Sequence, residues 1–506
     1  MQQENQVVEK LGQAMSMAQS NQVQEAKNIL DDLYRNNPGH EDVCCMLGII
    51  YIQLKDYVNA EIHFNKLVSI NSSNIQGYYY LGEVLSARND FEKAAKCYIE
   101  SAELMPDSPQ KADIYFKVAS MYQRLNQLDE SMGFYQKSLS LEENNAIAHY
   151  NLSLIYHQKG LIRKSENSLL NAVKFNPNYF MAYNNLASLL SEQSKFKMAE
   201  ENYRHALRIQ SESNEVKMNL ANSLHSQTKN DEAIKLYNEV IKIEPDNVKV
   251  WESLGTLYHR LQNKEQYVKC FKRALELNPD NEEVRYHLLS AGELEDDGVS
   301  AAPAKFVADL FDDYAEKFDS HLVKTLKYKT PEYIFNSVSD KLEKPTNDLN
   351  ILDLGCGTGL CGKLFSEYSK SMIGVDLSPK MLQKAELLKC YNQLIEGEIL
   401  DVLKNMENTF ELILSADVFV YIGELEKIFQ ECYRLLPAAG KFVFSVEEKS
   451  VDDSYELQQT GRYAHSKSYI TKISELVGFT ISSFELIDIR MQKNIPVKGY
   501  IVVLEK

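Results

Sequence analysis

A repeating word constrains this chain more than any single motif does. The clearest copy reads Trp251, Leu254-Gly255, Tyr258, Phe271, Ala274, Pro279. One step of about 34 residues earlier, the same places hold Leu220-Ala221, Ala233, Tyr237 and Pro245. Further steps give Tyr183, Leu186-Ala187, Ala199, Tyr203, Ala206, and then His149, Leu152-Ser153, Tyr156, Ala172, Pro177. Tyr115, Val118-Ala119, Tyr122, Tyr135 precede these, followed backwards, across a short insertion at Ser108 to Lys111, by Tyr78, Leu81-Gly82, Ala94, Tyr98, Pro106. Leu47-Gly48, Tyr51, Ala60, Phe64 and a degenerate Ala14, Ala26, Leu30, Pro38 complete the series. Small residues at fixed places let two helices of a hairpin approach, and the aromatics fill the gap to the next hairpin. Such a unit cannot bury its apolar face alone, so copies must stack.

The pattern resembles the tetratricopeptide (TPR) repeat. Only Tyr267 departs from it in the clearest copy, where the second helix usually opens on a small residue. The resemblance implies an α-solenoid, a right-handed TPR superhelix over residues 1–291, built from about eight repeats and a capping helix at Glu282 to Ser290. Asn151, Asn185 and Asn219 recur at one place on three successive inner helices. A side-chain amide carries both donors and an acceptor, so a ladder of them pairs with an extended peptide backbone whatever its sequence. The arrangement is similar to the asparagine ladder in the arrays of protein O-GlcNAc transferases; the alternative is that these amides only solvate the groove.

A chain of 506 residues exceeds one core. Its formal charge of −17 argues against nucleic acid or an anionic membrane as the main partner. No opening stretch has the form of a signal peptide and no apolar run approaches a membrane span, so a soluble, cytoplasmic protein is expected. The eight cysteines lack CxxC spacing, which predicts reduced thiols and no metal.

The second constraint is Leu352-Asp353-Leu354-Gly355-Cys356-Gly357-Thr358-Gly359. Ile351 to Leu354 is a short apolar run, three alternating glycines follow, and Leu360 to Tyr368 reads as a helix. Strand, tight turn and helix make a nucleotide-binding corner, with the glycines allowing close backbone approach and the helix start offering N–H groups. Gly357-Thr358-Gly359-Leu360-Cys361-Gly362 also fits G-x-G-x-x-G, which keeps a nicotinamide dinucleotide in play. Asp353, just before the glycines, would repel a pyrophosphate and suits an amino-acid ammonium group. Asp376 ends the next strand, Ser371 to Val375, where a carboxylate accepts ribose hydroxyls in either kind of enzyme.

With Val375-Asp376-Leu377-Ser378, these words resemble motif I and the following acid of class I S-adenosylmethionine-dependent methyltransferases. The likeness covers about the last two hundred residues and is closest to a bacterial group in which a TPR array precedes such a domain. It implies an α/β Rossmann-like class I methyltransferase domain at 304–506 after a linker at 292–303. Glu396-Gly397-Glu398-Ile399 matches the loop after the third strand, with Glu398 where this family usually has Asp. Phe410 to Ala416 is the fourth strand, followed by Asp417 to Ile422. Leu435-Leu436-Pro437-Ala438-Ala439-Gly440 resembles the turn before the fifth strand, one glycine replaced by alanine. The cofactor-binding residues implied are Asp353, Gly355, Cys356, Gly357, Gly359, Asp376, Leu377, Glu398, Ile399 and Asp417.

Ala304 to Phe318 is amphipathic, with Phe306, Leu310, Phe311, Tyr314 and Phe318 at helical spacings. It is similar to the lid helix of small class I methyltransferases, which implies that Tyr314 approaches the cofactor; plain packing is the other reading of Phe311 and Phe318. A helix at Pro331 to Lys341 leads into the sheet. Beyond the fifth strand, Lys441 to Val446, a polar aromatic insertion runs from Gln458 to Tyr469, then a helix, Ile470 to Val477, and two strands, Thr480 to Met491 and Val497 to Leu504. Arg462, Tyr463, His465 and Tyr469 are the candidate acceptor-side residues. His465 fits a general base near neutral pH, or equally a structural role. No N-P-P-Y motif, the mark of amide or adenine methylation, is present.

The expected function is methyl transfer from S-adenosylmethionine to a protein or small-molecule acceptor, with the array recruiting substrate or partner. The alternative is a TPR scaffold whose second domain binds the cofactor without catalysis.

Overall fold

The computed structural model describes residues 2–295, 299–315, 318, 328–339, 347–450, 454–492 and 495–506. Its contacts divide the chain into two compact units, one reaching to Ile243 and the other Glu244–Lys506.

The first unit holds seven helical hairpins, α1 (Gln2–Gln19) with α2 (Val23–Asn36) through α13 (Asn214–Ser226) with α14 (Asn230–Ile243). The small residues of the repeat earn their place through contact. A Cβ on Gly82 would lie 2.8 Å from the buried ring of Tyr98, so the aromatic of the second helix packs onto bare backbone of the first. Ala119, Ala187 and Ala221, at the same place in other hairpins, are fully buried. Each turn carries one residue in the left-handed region: Asn21, Lys55, Asn89, Asn126, Gly160, Ser194 and Thr228. The insertion at Ser108 to Lys111 becomes an extra turn of helix, Pro109–Arg124, 16 residues long where Ile75–Ala87 has 13. Ser108 caps it by accepting from the Lys111 N–H.

The eighth hairpin, α15 (Val248–Arg260) with α16 (Lys264–Leu277), and the capping helix α17 (Glu282–Ser290) fall in the second unit with the α/β domain. Gln262 supplies its left-handed turn residue. After α18 (Ala304–Tyr314) and α19 (Thr330–Ser339) come strands β1 (Leu349–Leu354), β2 (Ser369–Asp376), β3 (Gln393–Glu396), β4 (Leu412–Ser415) and β5 (Lys441–Glu448), paired in parallel in the order 3-2-1-4-5. Leu352, Leu354, Ile413, Phe442 and Phe444 are buried across this sheet, as central parallel strands covered on both faces require. β8 (Thr480–Gln492) and β9 (Ile495–Glu505) close it as an antiparallel hairpin against β5. The chain turns back at β1 and β4, and ligands of open α/β sheets bind at the carboxyl ends of strands at such a point.

Two differences from expectation matter. Within the polar stretch after β5 lie two strands, β6 (Tyr455–Leu457) and β7 (Tyr463–His465). β7 pairs in parallel with the tip of β5 at Glu447 and Glu448, beyond the place where β4 ends. The stretch expected as a linker, 292–303, is fastened at its described end: Ala302 N–H donates to Tyr421 O at 2.8 Å and Gly423 N–H to Ser300 O at 2.7 Å. Residues 296–298 of it, and 340–341 of the helix expected before β1, lie outside the described residues.

Candidate functional site

A cavity of about 370 Å³ opens where β1 and β4 diverge. The turn after β1 brings Gly355 and Gly357 to its wall, both in the left-handed region at φ 69° and 54°. A Cβ on Gly355 would meet Val418 Cγ2 at 2.2 Å, so the loop after β4 lies directly against bare backbone. Asp376, at the carboxyl end of β2, is held by backbone: Oδ2 accepts from Gly357 N–H at 2.8 Å and Oδ1 from Ser378 N–H at 2.9 Å. Burial pushes its carboxyl above the ordinary value, while the N–H groups of Ser378, Gly357 and Leu377 pull the other way. A carboxylate with two oxygens keeps further lone pairs beyond these two bonds. Leu377, Met381, Glu398 and Ile399 continue this wall.

The opposite wall is α18. Its Val307, Leu310, Phe311 and Tyr314 line the cavity, and Phe311 stands edge-on to Tyr421 at 5.6 Å between ring centroids. Asp312 fastens the helix to the far wall, accepting from the Ser378 hydroxyl and, at 3.3 Å, from Lys380 N–H at the start of the helix Pro379–Leu387. A carboxylate at a helix N-terminus is favourable there.

The expected residues separate into two groups. Gly355, Gly357, Asp376, Leu377, Glu398, Ile399, Asp417, Tyr314 and Arg462 line the cavity. Asp353, Cys356, Gly359, Tyr463, His465 and Tyr469 do not. Asp353 is buried and accepts from the Tyr391 hydroxyl at 2.7 Å; burial, helped by the charge of Asp376, raises its carboxyl to about 7 against that bond. Cys356 is a buried thiol and Gly359 caps the helix Leu360–Phe365 at φ 88°. Tyr463 donates its hydroxyl to Val299 O at 2.9 Å. Tyr469 accepts from Leu425 N–H through its hydroxyl.

His465 is fully buried, with Nε2 3.0 Å from Gly423 O. A carbonyl only accepts, so that nitrogen carries the proton. Burial drives the imidazole down to about 4, and the ring stacks on Tyr469 at 5.9 Å. It lies in β7 and is not among the residues that line the cavity.

Among the lining residues that the sequence did not single out are Tyr328, Tyr421 and Arg490. Arg490 comes from near the end of β8, buried, with Nη1 3.3 Å from Asp417 Oδ1 and Nη2 on Glu447 Oε1. Arg462 lies 3.4 Å from that same Glu447 oxygen and 5.7 Å from the centre of the Tyr421 ring. Among the described residues no cluster of His, Cys, Asp and Glu is placed to hold a metal ion, and no helix is long and apolar enough to cross a membrane.

In the first unit, Asn151 Nδ2 donates to the Tyr135 hydroxyl at 2.9 Å and Asn185 Nδ2 to the Tyr150 hydroxyl at 3.1 Å. Asn219 is half-buried on α13.

A family described as methyltransferase domain matches residues 352–444. Tetratricopeptide-repeat families match 41–74, 73–144, 146–179, 168–201, 221–262 and 248–281. A TPR repeat-containing protein of Methanocaldococcus jannaschii is 24% identical over 29% of this chain and 28% of its own length. The biotin biosynthesis bifunctional protein BioHC of Saccharophagus degradans is 31% identical over 28% of this chain and 24% of its own. A ubiquinone biosynthesis O-methyltransferase of Pelagibacter ubique is 26% identical over 31% of this chain and 65% of its own. The chain thus spans about a quarter of each of the first two relatives. It carries an N-terminal TPR array followed by a methyltransferase domain of Rossmann-like α/β fold, a family that works with S-adenosylmethionine.

Proposed function

We propose that this protein transfers a methyl group from S-adenosylmethionine to a protein or small-molecule acceptor, with the array recruiting the substrate or a partner. The observation that carries the reading is Asp376, held by the N–H groups of Gly357 and Ser378 at the rim of the cavity that Gly355, Glu398 and Ile399 share. In it Asp376 accepts the ribose hydroxyls, Glu398 the adenine amino group, and Leu377 and Ile399 flank the base. Tyr314 and Phe311 cover the reacting centre. The cofactor supplies an electrophilic methyl carbon. What the chain contributes is in-line positioning of an acceptor and exclusion of water, which for a two-reactant displacement accounts for much of the acceleration.

The array fits an extended peptide. With one N–H of Asn151 and of Asn185 fixed on tyrosines, each amide keeps its oxygen and second N–H for a backbone, and Asn219 continues the series. The titration that tests the main reading uses the full chain with S-adenosylhomocysteine and, separately, NADH. Binding of the first alone is expected; binding of NADH alone would mean a dinucleotide enzyme.

A further inference from the structure

The acceptor half of the cavity combines an apolar body with a cationic end. Val307, Leu310, Phe311, Phe318, Tyr328 and Ile422 supply the body. Among the described residues, the cations lining it are two, Arg462 and Arg490. They arrive from different places, the turn before β7 and the end of β8, and meet on one oxygen of the buried Glu447. Arg490 is engaged on both sides, by Glu447 and by Asp417. Arg462 is held loosely, its partners being Glu447 at 3.4 Å and the Tyr421 hydroxyl at 3.5 Å. A guanidinium has five N–H donors, and among the described residues Arg462 spends two, on Glu447 and Tyr421, which leaves the others for a ligand.

Asp417 and Glu447 offset the two arginines, and Asp376 and Glu398 line the same cavity, so the site is not net cationic. The site therefore does not collect anions by net charge; it offers directed donors in a planar fork, the geometry that matches a carboxylate's two oxygens. The proton balance points the same way. Of the three described lining carboxylates, Asp376 is committed to two backbone N–H groups, Asp417 to Arg490, and Glu398 to the adenine end in the reading above, and His465 is not among the lining residues. An alcohol or ammonium acceptor has to lose a proton at some stage of the transfer. A carboxylate does not, because it is ionised and nucleophilic at neutral pH.

We propose that the methyl acceptor is an organic carboxylate with an apolar or aromatic body, received by Arg462 with Arg490 behind it, and that the product is its methyl ester. This rests on the methyltransferase reading above. A carboxylate oxygen forms the new bond to the methyl carbon as the carbon–sulfur bond breaks, the electron pair stays on sulfur, and no proton moves. The negative charge of the acceptor and the positive charge of the sulfonium cancel in products that are both neutral at the reacting centre.

The test titrates the full chain, saturated with S-adenosylhomocysteine, with octanoate, decanoate and 3-phenylpropionate and with the primary amide of each. The acids should bind at least tenfold more tightly than their amides. Arg462→Gln should bring the two to parity while S-adenosylhomocysteine affinity stays unchanged; Arg490→Lys serves as a second variant that keeps the charge on Glu447. Incubation of the acids with methyl-labelled S-adenosylmethionine should give label released as methanol by alkali. Equal binding of acids and amides, binding of no acid to the cofactor-loaded protein, or a label that survives alkali would each overturn the carboxylate. Failure of S-adenosylhomocysteine itself to bind would overturn the methyltransferase reading beneath it, a separate and recognisable result.

Discussion

The hydroxyl of Tyr286, on the helix that caps the repeat array, donates to the carbonyl of Gly461 at 2.9 Å, one residue before Arg462. Gly461 sits at φ 69° in a tight turn closed by Gln458 N–H on Arg462 O, so the tyrosine steadies the loop that carries the guanidinium to the cavity. Its ring is buried with Ala302, Val307, Val420, Tyr421 and Tyr463. The last element of the array is thus packed against the loop that carries Arg462.

The consequence is a boundary different from the one the repeats suggest. Residues 301–506 alone would lose Tyr286 and Val299, leaving Tyr463 without its acceptor and an apolar cluster open to water. Expressed alone, that fragment should aggregate or lose acceptor turnover, whereas 244–506, the whole compact unit, should stay folded. Within the full chain, Tyr286→Phe removes one hydrogen bond, about 1 kcal/mol. The expected outcome is a raised KM for acceptor with S-adenosylhomocysteine affinity intact. A fragment 301–506 as active as 244–506 would show that the wall is assembled without the array.

Asp376→Ala deletes both acceptors that hold the Gly357 and Ser378 N–H groups. Those donors lose their protein partner and the ribose would lose its acceptor. Roughly 100-fold weaker S-adenosylhomocysteine binding is expected, each lost or unsatisfied bond to a charged group counting for about 1.5–3 kcal/mol. Helical circular dichroism should be unchanged, because neither repeat unit nor sheet core depends on this side chain. Retained affinity at the level of the natural chain would move the cofactor elsewhere.

What the sequence revealed follows the range of the forces involved. Gly355, Gly357, Asp376 and Glu398 are legible because each sits at a strand end whose place is set by local spacing, and the repeat is legible because Gly82 and Tyr98 recur as a contact pair within one hairpin. Tyr463 and His465 read as loop residues because they are polar aromatics in a polar stretch. Their burial comes from pairing with the tip of β5 and from cover by Tyr286 and Val299, partners that no local pattern announces. Arg490 is harder still. In β8 it is one more charged residue of a strand, and only its meeting with Glu447 and Asp417, 43 and 73 residues away, turns it inward.

Thr228 turns the seventh hairpin at φ 63°, exposed, with its N–H on His225 O. A β-branched residue is strained there by about 1 kcal/mol, and glycine is not. Its counterpart two hairpins back, Gly160, already is the relaxed residue. Thr228→Gly should therefore raise the denaturation midpoint of the array modestly, by about 1 kcal/mol less the extra chain entropy of glycine. Destabilisation in a urea titration would mean that the entropy of the unfolded chain outweighs the strain.

Asp353 offers a pH test that also settles its role. In the unfolded chain its carboxyl titrates near 3.8, and in the folded protein burial lifts it to about 7 despite the hydrogen bond from Tyr391. Between those values the folded form keeps a proton that the unfolded form has released. Stability from this group is therefore fully present below pH 4, falls as pH rises, and levels off above 7, by at most about 1.4 kcal/mol per pH unit crossed. Asp353→Asn cannot titrate, and its amide oxygen still accepts from the Tyr391 hydroxyl. The variant should match the natural chain near pH 4 and gain on it steadily toward pH 7 in parallel denaturant titrations. Because Asp353 faces Tyr391 and not the cavity, S-adenosylhomocysteine should bind the variant as well as it binds the natural chain. A difference in stability that stays flat with pH would mean an ordinary carboxyl, and lost affinity would return Asp353 to the ammonium group of the cofactor.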